Sequence, residues 1–170
     1  MPRRELLTPD QRFQLLAFPE DESGLIRMAT LSTEDFAFVR QHRGGHNCLG
    51  IAVLGWSTCA IQAGCWDLPR RKPRAPIIGI VAAQLGVTPA VWDVYAARDE
   101  TRREHLQELL ARLGLVQFSR QHYRELVDLL LPLAMQATQG IVLAQAAVDE
   151  LRRRHVLLPP VPALEKGAPI

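Results

Sequence analysis

A cluster of arginines after residue 97 has the residue type and spacing needed to contact nucleic-acid phosphates. Arg98, Arg102 and Arg103 lie in a run predicted to be helical, which places Arg98 and Arg102 four residues apart on one face. A guanidinium group binds phosphate through two parallel hydrogen bonds and stays charged at every relevant pH. Two such groups in line would suit a duplex backbone. A second interpretation pairs Arg98 with Glu100, or Arg103 with Asp99 and Glu100, in surface ion pairs, which contribute little.

Two candidate helix-turn-helix units could carry such contacts. The first joins a helix ending at Arg40 to one beginning near His46 through Gly44 and Gly45. The second joins a helix over residues 77–85 to one over 88–97 through a turn at Gly86. In a unit of this kind the second helix can enter a major groove while the first crosses the backbone. Any two short helices around a glycine share the pattern, so it indicates DNA contact only weakly.

We expect neither a metal site nor a catalytic site. His42, His46 and Cys48 are close in sequence, but the two glycines between the histidines break the helical spacing and no fourth ligand stands at a standard distance. The chain also lacks a glycine-rich phosphate loop, a nucleophile elbow and a clustered set of carboxylates for two-metal phosphoryl transfer. The sequence therefore predicts no cofactor and no enzymatic activity of its own.

Composition is compatible with nucleic-acid binding but does not require it. The 170 residues are 48% hydrophobic, enough for one domain or two small ones with a shared core, and the formal net charge is +2. Eighteen of the 20 basic residues are arginine, and they are clustered along the chain, for example at residues 70–74, 98–103 and 152–154. Solvated surface arginines would give the same composition.

Cysteine usage and hydropathy predict a soluble cytoplasmic protein. Three cysteines, at positions 48, 59 and 65, do not form a disulfide framework. The N-terminus lacks the apolar core of a signal peptide. The most apolar region, residues 126–151, is interrupted by polar residues and by Pro132, so we expect no membrane span.

Periodicity predicts an all-α fold, a multi-helix bundle with one or two helix-turn-helix-like units. Helices are expected to start at Thr8, Ser32 and Ser119, where a hydroxyl can cap the first turn, and one should stop at Gly114. Periodicity disappears after Trp56, which predicts an irregular connection. The predicted organisation is an N-terminal helical subdomain (1–55), the irregular connection (56–75), a C-terminal helical subdomain (76–160) and a tail (161–170).

Several blocks of the sequence form a recognisable set along nearly the whole chain, from residue 1 to about 160. The blocks are Met1 to Thr8, Leu31 to Asp35 with Arg40, Arg43-Gly44, His46-Asn47 and Leu49-Gly50, then Gln84 to Val87, Tyr95, Arg98 to Leu106 and Asp149 to Arg154. Together and in this order, they resemble the N-terminal domain, a domain of unknown function, of the Tn-three family of class II replicative transposases.

The resemblance implies a module that helps to bind the terminal inverted repeats of a transposon as double-stranded DNA. It implies that the acidic catalytic triad lies beyond Ile170. The candidate DNA-binding residues are Arg40, Arg43, His46, Asn47, Arg98, Arg102 and Arg103. Two alternatives stay open: a helical interaction module for transposase assembly, which would involve self-association, and a helix-turn-helix regulator.

Two departures from the family pattern stand out. Cys48 occupies a position where the family often has a basic residue, which weakens a DNA role for that helix. Residues 56–70 replace an expected Tyr-Leu-Arg-Tyr-Pro-Gly-Arg run. Codons permitted for these residues, read in a shifted frame, can encode a peptide beginning Val-Tyr-Leu-Arg-Tyr-Pro-Gly-Arg. We therefore interpret the chain as a truncated, partly frame-shifted copy and expect Trp56 to Pro73 to pack poorly without a long helix; a diverged loop is the alternative.

Overall fold

Most of the part of the protein that the structure describes is α-helical. A computed structural model describes Thr8, residues 21–63 and residues 75–159. Within these ranges there are eight helices and no strand, which confirms the all-α class. They are α1 (Glu22–Ala29), α2 (Thr33–Val39), α3 (Gly45–Ala63), α4 (Ala75–Leu85), α5 (Val91–Ala96), α6 (Asp99–Leu113), α7 (Arg120–Ala134) and α8 (Gly140–Arg153). The helix predicted after Thr8 and the tail 161–170 lie outside the described residues.

Local capping signals place several helix ends where the sequence predicts them. Ser32 begins α2 with a capping box, in which its hydroxyl accepts from the Asp35 amide and the Asp35 carboxylate accepts from the Ser32 amide. Ser119 begins α7 through the same reciprocal arrangement with His122. Gly114 ends α6 in the left-handed conformation (φ +63°), which glycine adopts without a steric penalty. These ends need no tertiary contacts.

Helix α3 is the centre of the bundle. Helices α1, α2, α4, α5 and α6 all pack against it. Its apolar side chains are buried on every side rather than along one stripe. The fully or almost fully buried ones are Leu49, Ile51, Ala52, Val53, Leu54, Trp56, Ala60 and Ile61. A helix surrounded by other helices has no polar face, so its sequence shows no 3.6-residue alternation.

The expectation of an irregular, poorly packed segment from Trp56 onward is wrong for residues 56–63, which continue α3. The hydroxyls of Ser57 and Thr58 donate to the carbonyl oxygens of Val53 and Leu54, so these buried polar groups are satisfied inside the helix. A domain boundary after residue 55 would cut this helix in the middle. The missing periodicity reflects burial on all sides, not loss of structure. Residues 64–74 lie outside the described part.

Two glutamines connect elements that are distant in sequence. The Gln84 amide on α4 donates to the carbonyl oxygen of Ala29, and its side-chain oxygen accepts from the amide of Leu31. The turn between α1 and α2 is thereby tied to α4. Gln62, near the end of α3, bonds the backbone of Val156 and Leu158 in the same two-sided way. Each glutamine side chain forms hydrogen bonds with backbone groups that have no hydrogen-bond partner within a helix.

Helices α7 and α8 form an antiparallel pair at one side of the molecule. Leu126, Val148 and Leu151 are buried between this pair and the rest of the core. The segment after α8 returns to the bundle, where Val156 pairs in parallel with Val116 and Arg152 donates to the carbonyl oxygen of Gln62. No helix in the described ranges is long and apolar enough to cross a membrane.

Candidate nucleic-acid interface

The loop between α2 and α3 presents one group of candidate DNA-binding residues. Gly44 has φ +87°, which turns the chain into α3 and leaves Arg43 exposed. The Asn47 side-chain amide donates to the Arg43 carbonyl oxygen at 2.9 Å and so holds the loop against the first turn of α3. The buried Oδ1 of Asn47 has no partner among the described residues. Asn47 is therefore better placed to shape the loop than to reach a ligand.

The junction between α5 and α6 presents the second group. Arg98 immediately precedes α6 and is exposed. A guanidinium nitrogen of Arg98 donates to His46 Nε2 at 3.4 Å. Two groups of residues about 50 positions apart in the sequence therefore share one surface. The N-terminal ends of α3 and α6 both open onto this surface, and unpaired N–H groups at helix starts favour anions.

The arginines of α6 differ in their availability. Arg102 is half-buried and its guanidinium is paired with the Asp99 carboxylate, a pair that differs from the ones the sequence predicted for Arg98 and Arg103. Arg103 is exposed and has no ion-pair or hydrogen-bond partner within the described residues. Glu100 and Glu104 are exposed on the same helix. The surface is therefore mixed in charge, which predicts weak rather than strong attraction of a duplex.

Arg40 and the C-terminal arginines occupy different surroundings. Arg40 ends α2, with its guanidinium 5.7 Å from the Phe36 ring centroid, and it is exposed.

Arg153 bonds Glu150 through two nitrogens, and Arg154 bridges Glu150 on α8 to Glu125 on α7. These ion pairs give the arginines after residue 151 a structural role, in addition to their favourable position at a helix C-terminus.

A polar network that the sequence did not reveal lies beneath this surface. The Tyr95 hydroxyl and His105 Nδ1 are hydrogen-bonded at 3.2 Å, and both residues are buried. The ring of His105 meets that of His42 edge to face, with centroids 4.9 Å apart. His42 Nε2 lies 3.0 Å from a Glu108 carboxylate oxygen, and its Nδ1 lies 3.3 Å from the Val39 carbonyl oxygen. The network joins the α2–α3 loop to α6.

Burial changes the ionisation of this network. It raises the pKa of the Tyr95 phenol, which therefore remains a hydrogen-bond donor. Burial, followed by the charge of His42, lowers the pKa of His105 below its usual value of 6.5. Both ring nitrogens of His42 face oxygen atoms, one of the Glu108 carboxylate and the other of the Val39 carbonyl. The closeness of His42 and His105 could not be inferred from their separation in the sequence.

The helices after the two predicted turns offer a duplex little surface. From Leu49 onward most described residues of α3 are buried and Cys59 is exposed, so the first turn is its main accessible part. The α5 helix has six residues, buries Trp92 and Tyr95, and exposes Asp93 and Val94. A recognition helix needs an exposed polar face that can lie in the major groove. Contacts through the helix ends and the loop are better suited to this geometry than insertion of either helix.

The comparisons with known proteins identify the family of this chain. Residues 6–168 match the family model described as "Domain of unknown function (DUF4158)". The chain belongs to this family. It is 40% identical over 169 residues to the transposase for transposon Tn3926 and to the transposase for transposon Tn21, both of Escherichia coli, each alignment covering 99% of this chain and 17% of the relative. It is 38% identical over 168 residues to the transposase for transposon Tn501 of Pseudomonas aeruginosa, again 98% of this chain and 17% of the relative.

The matches confirm the resemblance to transposases of the Tn-three family. The chain spans about a sixth of the length of the curated relatives it matches, and the homologous region is their N-terminal part. A DUF4158 domain related to transposases is therefore established. Catalysis in these relatives belongs to proteins several times longer than this chain, and the family description assigns no activity to the domain.

Proposed function

We propose that this DUF4158 chain is a non-catalytic, DNA-binding module of a transposase that contacts the terminal inverted repeats of a transposon. The observation that carries the proposal is the contact between Arg98 and His46, which unites two basic segments on one surface. The homology to transposases provides the biological context. The module binds DNA in the cytoplasm, mainly through electrostatic contacts. This binding serves DNA transposition and recombination.

We assign direct phosphate contacts to the exposed arginines and a supporting role to the rest. Arg43, Arg98 and Arg103 are exposed and can approach a duplex. Arg102 is paired with Asp99 and orders the start of α6. His46 orients Arg98, Asn47 shapes the loop, and Arg40 lies at the edge of the surface. This assignment replaces insertion of a recognition helix by contacts through two helix ends and a loop.

The test is binding to a labelled duplex carrying a terminal inverted repeat of Tn21, compared with a scrambled duplex of equal length. Fluorescence anisotropy at several salt concentrations should show tighter binding to the repeat and a steep loss of affinity as salt rises. Arg98→Ala should weaken binding to both duplexes and reduce the salt slope by about one unit, since one phosphate contact is lost. Arg153→Ala is the matched control, because its guanidinium is held by Glu150.

Absence of binding to either duplex at low salt would overturn the proposal. A larger effect of Arg153→Ala than of Arg98→Ala would place the DNA surface at the end of α8 instead. Equal affinity for the repeat and the scrambled duplex would leave a DNA-binding module but remove the assignment to terminal repeats.

A second candidate function is supported by the outer face of α7. Leu131 and Met135 are 59% and 84% exposed, and Val127 on the same face is 44% exposed. Exposed apolar side chains at a spacing of four residues suit packing against another protein surface. An assembly module would self-associate through this face. Sedimentation velocity of the chain and of Leu131→Ser distinguishes the two functions, because only the assembly function predicts a concentration-dependent increase in mass that the variant loses.

A further inference from the structure

The two histidines beneath the proposed DNA surface are placed to respond to acid. Ring centroids 4.9 Å apart leave no room for water between His42 and His105, and His105 is only 7% exposed. The Tyr95 hydroxyl lies 3.2 Å from His105 Nδ1 and donates to this nitrogen in the tautomer that leaves it without a proton. A proton added there would force the buried hydroxyl to reverse its hydrogen bond. It would also place two positive rings in contact.

The charged and titratable groups around the pair include one carboxylate, Glu108, whose charge raises the pKa of His105 by less than burial and His42 lower it. From α6, Glu108 faces His42 and Arg102 lies near Tyr95. From α3, the Cys48 thiol donates to the carbonyl oxygen of His42, and its surroundings include Arg40 at the end of α2. From α5, Tyr95 contacts His105. Glu108 is the one carboxylate among these groups, and it already faces His42.

The α2–α3 loop, which carries Arg43, contacts α6 through His42. His42 belongs to the loop, and its contacts to Glu108 and His105 join the loop to α6. The contact between His46 and Arg98 is exposed and long for a hydrogen bond, so it contributes little to attachment. Separation of the two rings would therefore free the loop and Arg43 from α6, while His46 stays in the first turn of α3.

We propose that the His42–His105 pair makes the DNA surface acid-sensitive, so that protonation of the second ring releases the α2–α3 loop and weakens duplex binding. The expected effect on DNA binding rests on the proposed function, whereas the expected release of the loop does not. The direction of the expected pH effect on DNA binding distinguishes loop release from a simple change in surface charge. Protonation of surface histidines adds positive charge and by itself strengthens binding to a polyanion, whereas loop release weakens it.

Loop release can be measured without DNA through the Cys48 thiol, which bonds the His42 carbonyl. The assay uses the double variant Cys59→Ser, Cys65→Ser, in which Cys48 is the remaining thiol. The rate at which this thiol reacts with 4,4′-dithiodipyridine is divided by the rate for an unstructured peptide that contains Cys48, measured at the same pH. This ratio removes the pH dependence of thiolate formation. We expect Cys48 to become at least about tenfold less protected between roughly pH 7.5 and pH 5.5, the range in which histidines titrate. Constant protection overturns the proposal.

The DNA consequence is measured by duplex anisotropy at constant ionic strength over the same pH range. We expect binding by the unmodified chain to weaken about fivefold on acidification, within the range over which histidine charge changes. His105→Gln keeps an acceptor for Tyr95 but cannot titrate, so it should abolish this loss, as should His42→Gln if the first variant fails to fold. His155→Asn, at an exposed position with φ +54°, is the control that should retain the loss.

The possible outcomes separate the two proposals. A chain that loses Cys48 protection in acid but binds no duplex at neutral pH supports the switch and overturns the DNA function. Duplex binding that strengthens in acid overturns the switch and leaves the DNA function intact. A loss of binding in acid that persists in both glutamine variants also overturns the assignment to this pair.

Discussion

The ring of Tyr95 packs directly against the backbone of Gly50. A Cβ atom added at Gly50 would stand 2.2 Å from Tyr95 Cδ2, far inside a van der Waals contact. This approach brings α5 against the central helix α3 and places the Tyr95 hydroxyl beside His105. Any residue larger than glycine would separate the two helices and, with them, the two halves of the proposed DNA surface.

We predict that Gly50→Ala destabilises the protein by about 1–3 kcal/mol or more, the range for overpacking a core that cannot relax. Urea unfolding followed by circular dichroism measures the change in the free energy of unfolding. Gly79→Ala on α4 is the matched control, because a Cβ there meets nothing within 4 Å. That variant should be neutral or stabilised by up to about 1 kcal/mol, the helix preference of alanine over glycine. Equal stability of the two variants would contradict the contact.

The continuation of α3 past Trp56 gives a second prediction. Ile61 is 3% exposed, whereas Cys59, two residues earlier, faces outward. Ile61→Ala should lower the free energy of unfolding by about 2–4 kcal/mol, as expected for truncating a buried side chain. Cys59→Ala should change it by less than about 0.5 kcal/mol, as is usual for surface positions. A small effect at both positions would restore the interpretation of an irregular segment.

The shifted-frame interpretation of residues 56–70 stays a prediction that the gene can test. If it is correct, the codons from Trp56 onward must encode the family-like peptide in the shifted frame. Sequencing the gene decides the matter, since a single codon incompatible with that peptide within the run would refute the interpretation. A helical structure through residue 63 does not bear on this test, because a shifted peptide can also be apolar enough to be buried.

Gln84 offers a test of the tie between α4 and the α1–α2 turn. Gln84→Leu keeps the approximate volume but leaves the Ala29 carbonyl and the Leu31 amide without their partner, which should cost about 1–3 kcal/mol for partly buried groups. Gln107→Leu is the control, because Gln107 is exposed and bonds only Gln117 on the surface. Hydrogen exchange at Leu31 should accelerate in the first variant alone. An unchanged rate would show that the turn is held by other contacts.

The ion pairs at the end of α8 predict a defined acid dependence. Hydrogen bonds from Arg153 and then Arg154 lower the pKa of Glu150 from 4.5 to about 2. Because the pKa is lower in the folded state, the stabilisation is present above the unfolded pKa and is lost as pH falls toward 2. Glu150→Gln should therefore reduce stability near pH 6 and lie closer to the unmodified protein near pH 2. Parallel curves for the two proteins in urea unfolding would exclude this contribution.

The sequence by itself determined the fold class, most described helix ends and the family. Ser32, Ser119 and Gly114 act within one helical turn, so their effects can be predicted without knowledge of the rest of the chain. The helix over Glu22–Ala29 was not predicted. It buries only Leu25, Ala29 and the backbone of Gly24, too short an apolar face for a clear periodic signal.

Only the tertiary structure decided where α3 lies and which residues share the candidate site. A helix buried on all sides has no amphipathic period, and for that reason the sequence past Trp56 was interpreted as irregular. The contacts of Arg98 with His46 and of His42 with His105 join positions more than 50 residues apart. Such pairs depend on how the helices pack around α3. Capping and periodicity report only on neighbours within a turn or two, so they could not reveal these contacts.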